Sequence, residues 1–215
     1  MEHQPAHRRG DCRAQELRRA RPLALLSRAG LLLLAATAFV GRSAVAQVAP
    51  QLLERMAGTW QVEERMWPGP DAAAVELPPA IAHRRLIGGK YLEEVMVNRD
   101  SKAPADAIFQ RHSFLNFNAV TGRYEYSSLD TRAPQLMTEL SAAVGAAPLG
   151  PDLSLQGAEF LAPQWGAARN VPFRYRLTLG ELRDGRQTVR LYLTPQAVLP
   201  PREFLAFEYL YRKTR

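Results

Sequence analysis

The 215-residue chain predicts an all-β fold preceded by a short helix: a single antiparallel up-and-down barrel of about nine or ten strands, with an open sandwich as the alternative that the same strand count satisfies. Three observations carry this. Runs of alternating apolar and polar residues follow one another from Thr59 to Lys213, each bounded by glycine, proline or asparagine. No long stretch sustains helical spacing. Arg183-Asp184-Gly185 stands between two of the clearest alternating runs, and Asp-Gly in that setting is among the strongest short-range hairpin signals.

The first 46 residues read as a cleaved export signal. An arginine-rich stretch (Arg8, Arg9, Arg13, Arg18, Arg19, Arg21) precedes the apolar run Ala29–Val40, well short of the roughly 20 residues a membrane-spanning helix needs. Ala44-Val45-Ala46 supplies the small-x-small signal for cleavage after Ala46. The expected product, residues 47–215, is one barrel domain, periplasmic or secreted, with no stable membrane span. Cys12, the one cysteine, leaves with the leader, which excludes disulfides, thiol nucleophiles and thiolate ligands from the mature domain. Of 28 Lys+Arg and 21 Asp+Glu, 8 and 3 lie in the leader, leaving 20 against 18. A formal net of +2 gives no electrostatic footprint for a nucleic-acid partner.

After the leader, Leu52, Leu53 and Met56 are spaced for a short helix that runs into Ala57-Gly58-Thr59-Trp60. The first strand, Thr59–Trp67, is stopped by Pro68-Gly69-Pro70. Pro78-Pro79 belong to the loop that follows, because proline has no donor to give a ladder. Ile81–Ile87 and Tyr91–Val97 flank Gly88-Gly89, a tight hairpin or a sharp bend in one long strand. Beyond the turn-rich Asn98–Asp106, strands Ala107–Phe117 and Arg123–Leu129 are joined by Asn118–Gly122, with glycine where positive φ is needed. Gln135–Leu140 is a shorter strand, Ala142–Pro151 a loop, and Leu153–Phe160 another strand. Val171–Leu182 puts Phe173, Tyr175, Leu177 and Leu179 on one parity, and Gln187–Thr194 gathers Val189, Leu191 and Leu193 on one face. Glu203–Lys213 is the last strand. There Tyr209 and Tyr211 share a parity with Phe207, which suits either core or an outer aromatic patch.

Gly58-Thr59-Trp60 at the start of the first strand, with Arg212 (or Lys213) near the end of the last, resembles the calycin group of lipocalins and fatty-acid-binding proteins. In that group the cation packs across the indole and closes one end of the barrel. The resemblance implies a barrel over an open sandwich, with Gly58, Trp60 and Arg212 as closure residues here. The chain is also similar to a bacterial family of unknown function with a lipocalin-like fold. The matching features are Met56–Trp60, Gly88–Glu93, the Asn-x-x-Thr-Gly-x-Tyr hairpin Asn118–Tyr124, and the pair Ser128 and Asp130. This likeness implies architecture and carries no activity.

If Trp60 faces inward, alternation takes Val62, Glu64 and Met66 inward too. The expected ligand-binding interior comprises Trp60, Val62, Met66, Tyr124, Tyr126, Phe173, Tyr175 and Leu191, with Glu64 and His112, joined by Arg111, as orienting polar groups. A buried glutamate needs a cation, and Arg85 and Arg111 are the candidates. No catalytic residue is assigned. His83 and His112 lack a second ligand at metal spacing, and no phosphate loop, nucleophile elbow or dinucleotide fingerprint is present, so no metal or cofactor is expected. The expected function is that of an exported protein holding a small hydrophobic or amphipathic molecule in the barrel. Two alternatives stay open. One is a hydrolase or isomerase using Glu64 or His112 as acid/base. The other is an envelope interaction protein with a filled barrel that binds partners through the loops Pro68–Pro79 and Ala142–Pro151.

Overall fold

The structure, a computed structural model, describes residues 51–98, 110–142, 152–165, 168–197 and 200–214. The expected leader, most of the turn-rich stretch expected at Asn98–Asp106 and nearly all of the loop expected at 142–151 lie outside the described residues.

Residues 51–56 form the short helix, α1. Ten strands follow: β1 (Gly58–Met66), β2 (Val75–Ile87), β3 (Tyr91–Asn98), β4 (Gln110–Asn118), β5 (Arg123–Asp130), β6 (Ala133–Ser141), β7 (Leu153–Trp165), β8 (Ala168–Leu179), β9 (Arg186–Pro195) and β10 (Phe204–Lys213). Each pairs antiparallel with its chain neighbours, and β10 returns to β1, so the barrel is closed and has no free edge. Two tight hairpins are made by residues whose backbone suits them. Gly88 and Gly89 have φ of 57° and 69°, and Asp184 and Gly185 have φ of 49° and 68°, the paired positive φ of a type I′ turn.

The prolines depart from expectation. Pro78 and Pro79 sit inside β2, not in a loop. The β1–β2 register explains why: Val62 faces Ala80, but Glu64 faces Leu77, so β2 carries an extra residue where the prolines stand. A bulge is one of the few places where a strand tolerates a missing donor. On its other side, the β2–β3 pairing among the described residues runs from Ala80↔Asn98 to Ile87↔Tyr91.

One end of the barrel is filled. Leu53 and Met56 of α1 are buried under Trp60, whose indole N–H donates to the Met56 carbonyl at 3.0 Å. Tyr211 meets the Trp60 ring edge-on at 6.2 Å, and Tyr124 packs against Phe117 at 5.1 Å. Tyr209 and Tyr211 are therefore core, both on the inward parity of β10. Two cations flank the indole, the Arg84 guanidinium at 5.1 Å and the Lys213 ammonium at 5.5 Å. The expected Arg212 is one residue out of phase. It faces outward, 3.4 Å from Glu63. Gly58 meets the closure as expected of a glycine. Its φ is 131°, and a Cβ there would lie 2.7 Å from the Lys213 stem.

Candidate functional site

Arg111, Tyr126 and Leu177 form a partition across the interior. Toward α1 the space is almost fully packed, with about 20 Å³ left. Toward the opposite end it opens into a cavity of about 410 Å³. Its wall is largely apolar, built by Phe160, Ala162, Trp165, Leu191, Leu193 and Phe207 of β7, β9 and β10 with Met66, Leu77 and Met137 of β1, β2 and β6.

The position of this space follows from strand pairing. The β6–β7 ladder runs over three pairs among the described residues: Glu139–Gly157, Leu140–Gln156 and Ser141–Leu155. Beyond them β6 and β7 diverge, and the Gln135 amide donates to the Leu161 carbonyl at 2.5 Å. The Tyr175 hydroxyl stands in for ladder partners, accepting from the Thr138 N–H and donating to the Thr138 carbonyl, both at 3.1 Å. Its ring lies over Gly157, where a Cβ would come within 2.1 Å of it. Cavity-lining residues sit on both sides of this divergence.

Of the residues expected to face a ligand, the structure brings Met66, Tyr126 and Leu191 to the cavity wall, with Arg111 beside them. Phe173 and Tyr175 are buried one layer back, their rings 5.7 and 5.5 Å from Phe160. Trp60, Val62 and Tyr124 face inward but belong to the filled end. His112 is on the outer parity of β4, where its Nε2 lies 2.8 Å from Glu93, which also pairs with Arg85. It therefore does not orient a ligand in the barrel. Glu64 does point inward, but its counter-ion is neither Arg85 nor Arg111. Arg132, delivered by the tight β5–β6 turn, reaches across to Glu64 at 2.7 Å while holding Asp130 at 2.8 Å.

The interior charges form two sets. Glu94 lies between Arg84 (2.6 Å) and Arg111 (2.8 Å). Burial pushes its carboxyl up, and the two arginines more than offset this, holding it at about 2. Arg111 also donates to the Tyr211 hydroxyl at 2.6 Å and stacks over Tyr209 at 4.5 Å. Arg132 with Glu64 and Asp130 makes the second set, near the mouth. There Asp130, pushed up by burial, is held below the usual carboxylate range by hydrogen bonds from Arg132.

Glu139 stands apart. It lines the cavity from β6, is 1% exposed, and burial pushes its carboxyl up to about 8 against the opposing field of Arg111. Among the described residues, three buried side-chain atoms lack a hydrogen-bond partner: Glu139 Oε2, Arg111 Nε and Glu64 Oε2. Glu139 is not among the residues expected from the sequence, and alternation around Leu136 and Leu140 would have placed it on the outer face. No group of three His, Cys, Asp or Glu side chains among the described residues is placed to hold a metal ion. No helix among them is long and apolar enough to cross a membrane.

Fold and cavity together define a small closed antiparallel barrel, packed at one end and hollow at the other. The chain belongs to a family of proteins of unknown function (DUF1579), which it matches over residues 46–164. That span carries Met66, Arg111, Tyr126, Arg132 and Glu139, and ends in β7. The chain is also similar to the crystal structure of Rv2717c from M. tuberculosis, with a TM-score of 0.50 and 15% identity, covering 77% of this chain and 96% of that one. At that identity the likeness is one of fold. No curated protein sequence matches the chain.

Proposed function

We propose that this barrel is an exported binding protein that holds one amphipathic small molecule in the hollow half of its interior. The observation that carries the reading is the cavity itself: about 410 Å³ of mainly apolar space inside a closed barrel, with a few convergent polar groups at its floor. That volume lies within the range of small-molecule sites, and an apolar wall with few polar anchors suits a ligand with a hydrocarbon body and one polar end. Export is inferred from the arginine-rich leader, its apolar run and the Ala44-Val45-Ala46 signal.

Ala162, 3% exposed on the cavity wall, gives a direct test. Ala162→Phe adds volume to the hollow without touching a charged group. Titrated with the neutral dye N-phenyl-1-naphthylamine, the wild-type mature chain is expected to bind it with quenching of Trp165 fluorescence. The variant, with unchanged circular dichroism, is expected to lose that binding about tenfold or more. Equal binding by both proteins would sink the cavity reading. Native mass spectrometry of protein recovered from its export compartment checks location, with a chain beginning at Gln47 as the expected result.

A further inference from the structure

Resting on that reading, we infer that the polar end of the ligand is a cation, a protonated amine, and that Glu139 is its anchor. The inference begins with a charge count. Among the described residues three arginines reach the interior, and each is already engaged: Arg84 and Arg111 by Glu94, and Arg132 by Glu64 and Asp130. Three arginines against Glu64, Glu94 and Asp130 leave no net charge among these residues. Glu139 is a fourth carboxyl on the inward side, and ionised it leaves this set one positive charge short.

Geometry points the same way. Glu139 Oε2 has no hydrogen-bond partner, and the side chain lines the cavity from β6. A buried carboxylate without a partner is costly, and a ligand ammonium would remove that cost with a charge-assisted hydrogen bond. The groups facing Glu139 are Arg111 from β4, Tyr126 from β5 and Tyr175 from β8, with Gly157 opposite it on β7. None supplies a spare cation: the charge of Arg111 is matched by Glu94, and its Nη2 group also donates to the Tyr211 hydroxyl, which leaves only its Nε–H without a partner. The other walls present aromatic faces, Tyr126, Phe160 and Trp165 among them, which attract ammonium groups, and the two arginines of the lining, Arg111 and Arg132, are already in ion pairs with carboxylates. An anionic ligand would place a second unmatched negative charge beside Glu139. The carboxyl's position at about 8 supports the assignment, since it is protonated near neutral pH and must release its proton to receive the cation.

Three probes with one hydrocarbon tail test the idea: octylamine, octanol and octanoate, titrated by calorimetry into the mature chain from pH 6 to pH 9 in buffers of different ionisation enthalpy. Octylamine is expected to bind tightest and release one proton per molecule bound at pH 6–7. Its affinity is expected to rise about tenfold per pH unit and level off above about pH 8. Glu139→Gln is expected to abolish the pH slope and weaken octylamine at least about tenfold at pH 8, while leaving octanol unchanged. Tightest binding of octanoate, strengthened by Glu139→Gln, would overturn the cation assignment and keep the cavity. So would equal binding of all three probes. If none binds and Ala162→Phe is silent, both readings fall.

Discussion

The two halves of this barrel are built from the same ten strands, yet they treat buried charge in opposite ways. In the filled half, Glu94 is clasped by Arg84 and Arg111, Arg84 also donates to the Gln187 amide oxygen at 2.7 Å, and the rings of Trp60 and Tyr211 cover the guanidinium. In the hollow half, Glu139 has an unpartnered oxygen and a mostly apolar cavity in front of it. A buried carboxylate paired on both oxygens holds one packing of a core, here with only the Arg111 Nε–H left over. An unsatisfied group at a cavity wall lowers stability unless something else supplies its partner. The first arrangement belongs to a structural end, and the second is where the proposed site lies.

The largest expected effect breaks the structural end. Glu94→Gln removes the carboxylate between Arg84 and Arg111 and leaves two buried guanidinium groups without their counter-ion. Breaking such a pair costs about 3–5 kcal/mol, a large share of the stability of a domain this size. Urea unfolding of the variant checks it. A loss near zero would mean that packing alone holds this end. The wild type carries a matching pH signature. The Glu94 carboxyl is depressed from 4.5 to about 2 in the folded state, so its stabilisation is fully present above about pH 4.5 and is lost as pH falls toward 2. Glu94→Gln is expected to flatten that acid limb of the stability curve.

Glu139 is expected to show the reverse sign. Its folded carboxyl is raised from 4.5 to about 8, so between those values the folded chain holds a proton that the unfolded chain has released. Its contribution to stability therefore falls as pH rises from about 4.5 to about 8, by on the order of a few kcal/mol, and is level above that. Glu139→Gln removes the slope and leaves a chain more stable than wild type at pH 8. Denaturant midpoints from pH 4 to pH 9 read both effects. An unchanged slope in the variant would show that Glu139 is solvated or paired, and would erase the contrast between the halves.

Much of this architecture was legible in the sequence, because strand alternation and turn chemistry are local. The Asp184-Gly185 and Gly88-Gly89 hairpins, the helix before Trp60 and the inward parity of Trp60, Val62 and Glu64 all follow from neighbouring residues. What escaped depends on register between strands. Alternation divides β4 into two faces, but only pairing with β3 and β5 puts Arg111 inside and His112 outside. One residue of phase separates Lys213 from Arg212 as the cation over Trp60. The bulge that admits Pro78 and Pro79 is a property of two strands together. Strand β6 is the instructive case. Leu136 and Leu140 are 68% and 47% exposed, whereas Glu139 opposite Tyr126 is buried, the reverse of what an apolar-in pattern gives. A strand whose polar side faces inward departs from local consistency, and such departures concentrate where function competes with stability.

The smallest expected effect sharpens the contrast between a packed wall and one with room behind it. Gly157 lies on β7 under the Tyr175 ring, and a methyl group there would collide with that ring at 2.1 Å. In a packed core such crowding has nowhere to go and costs about 1–3 kcal/mol. Here Phe160 and the cavity lie beside Tyr175, so the ring has space to turn, at the expense of its two hydrogen bonds to Thr138. Gly157→Ala is therefore expected to lose about 1 kcal/mol of stability and to weaken binding in the cavity, because the displaced ring occupies part of it. Thermal unfolding and dye titration on the same preparation separate these effects. A large loss of stability with unaltered binding would place Tyr175 in the structural framework and move the boundary of the site inward, to Phe160.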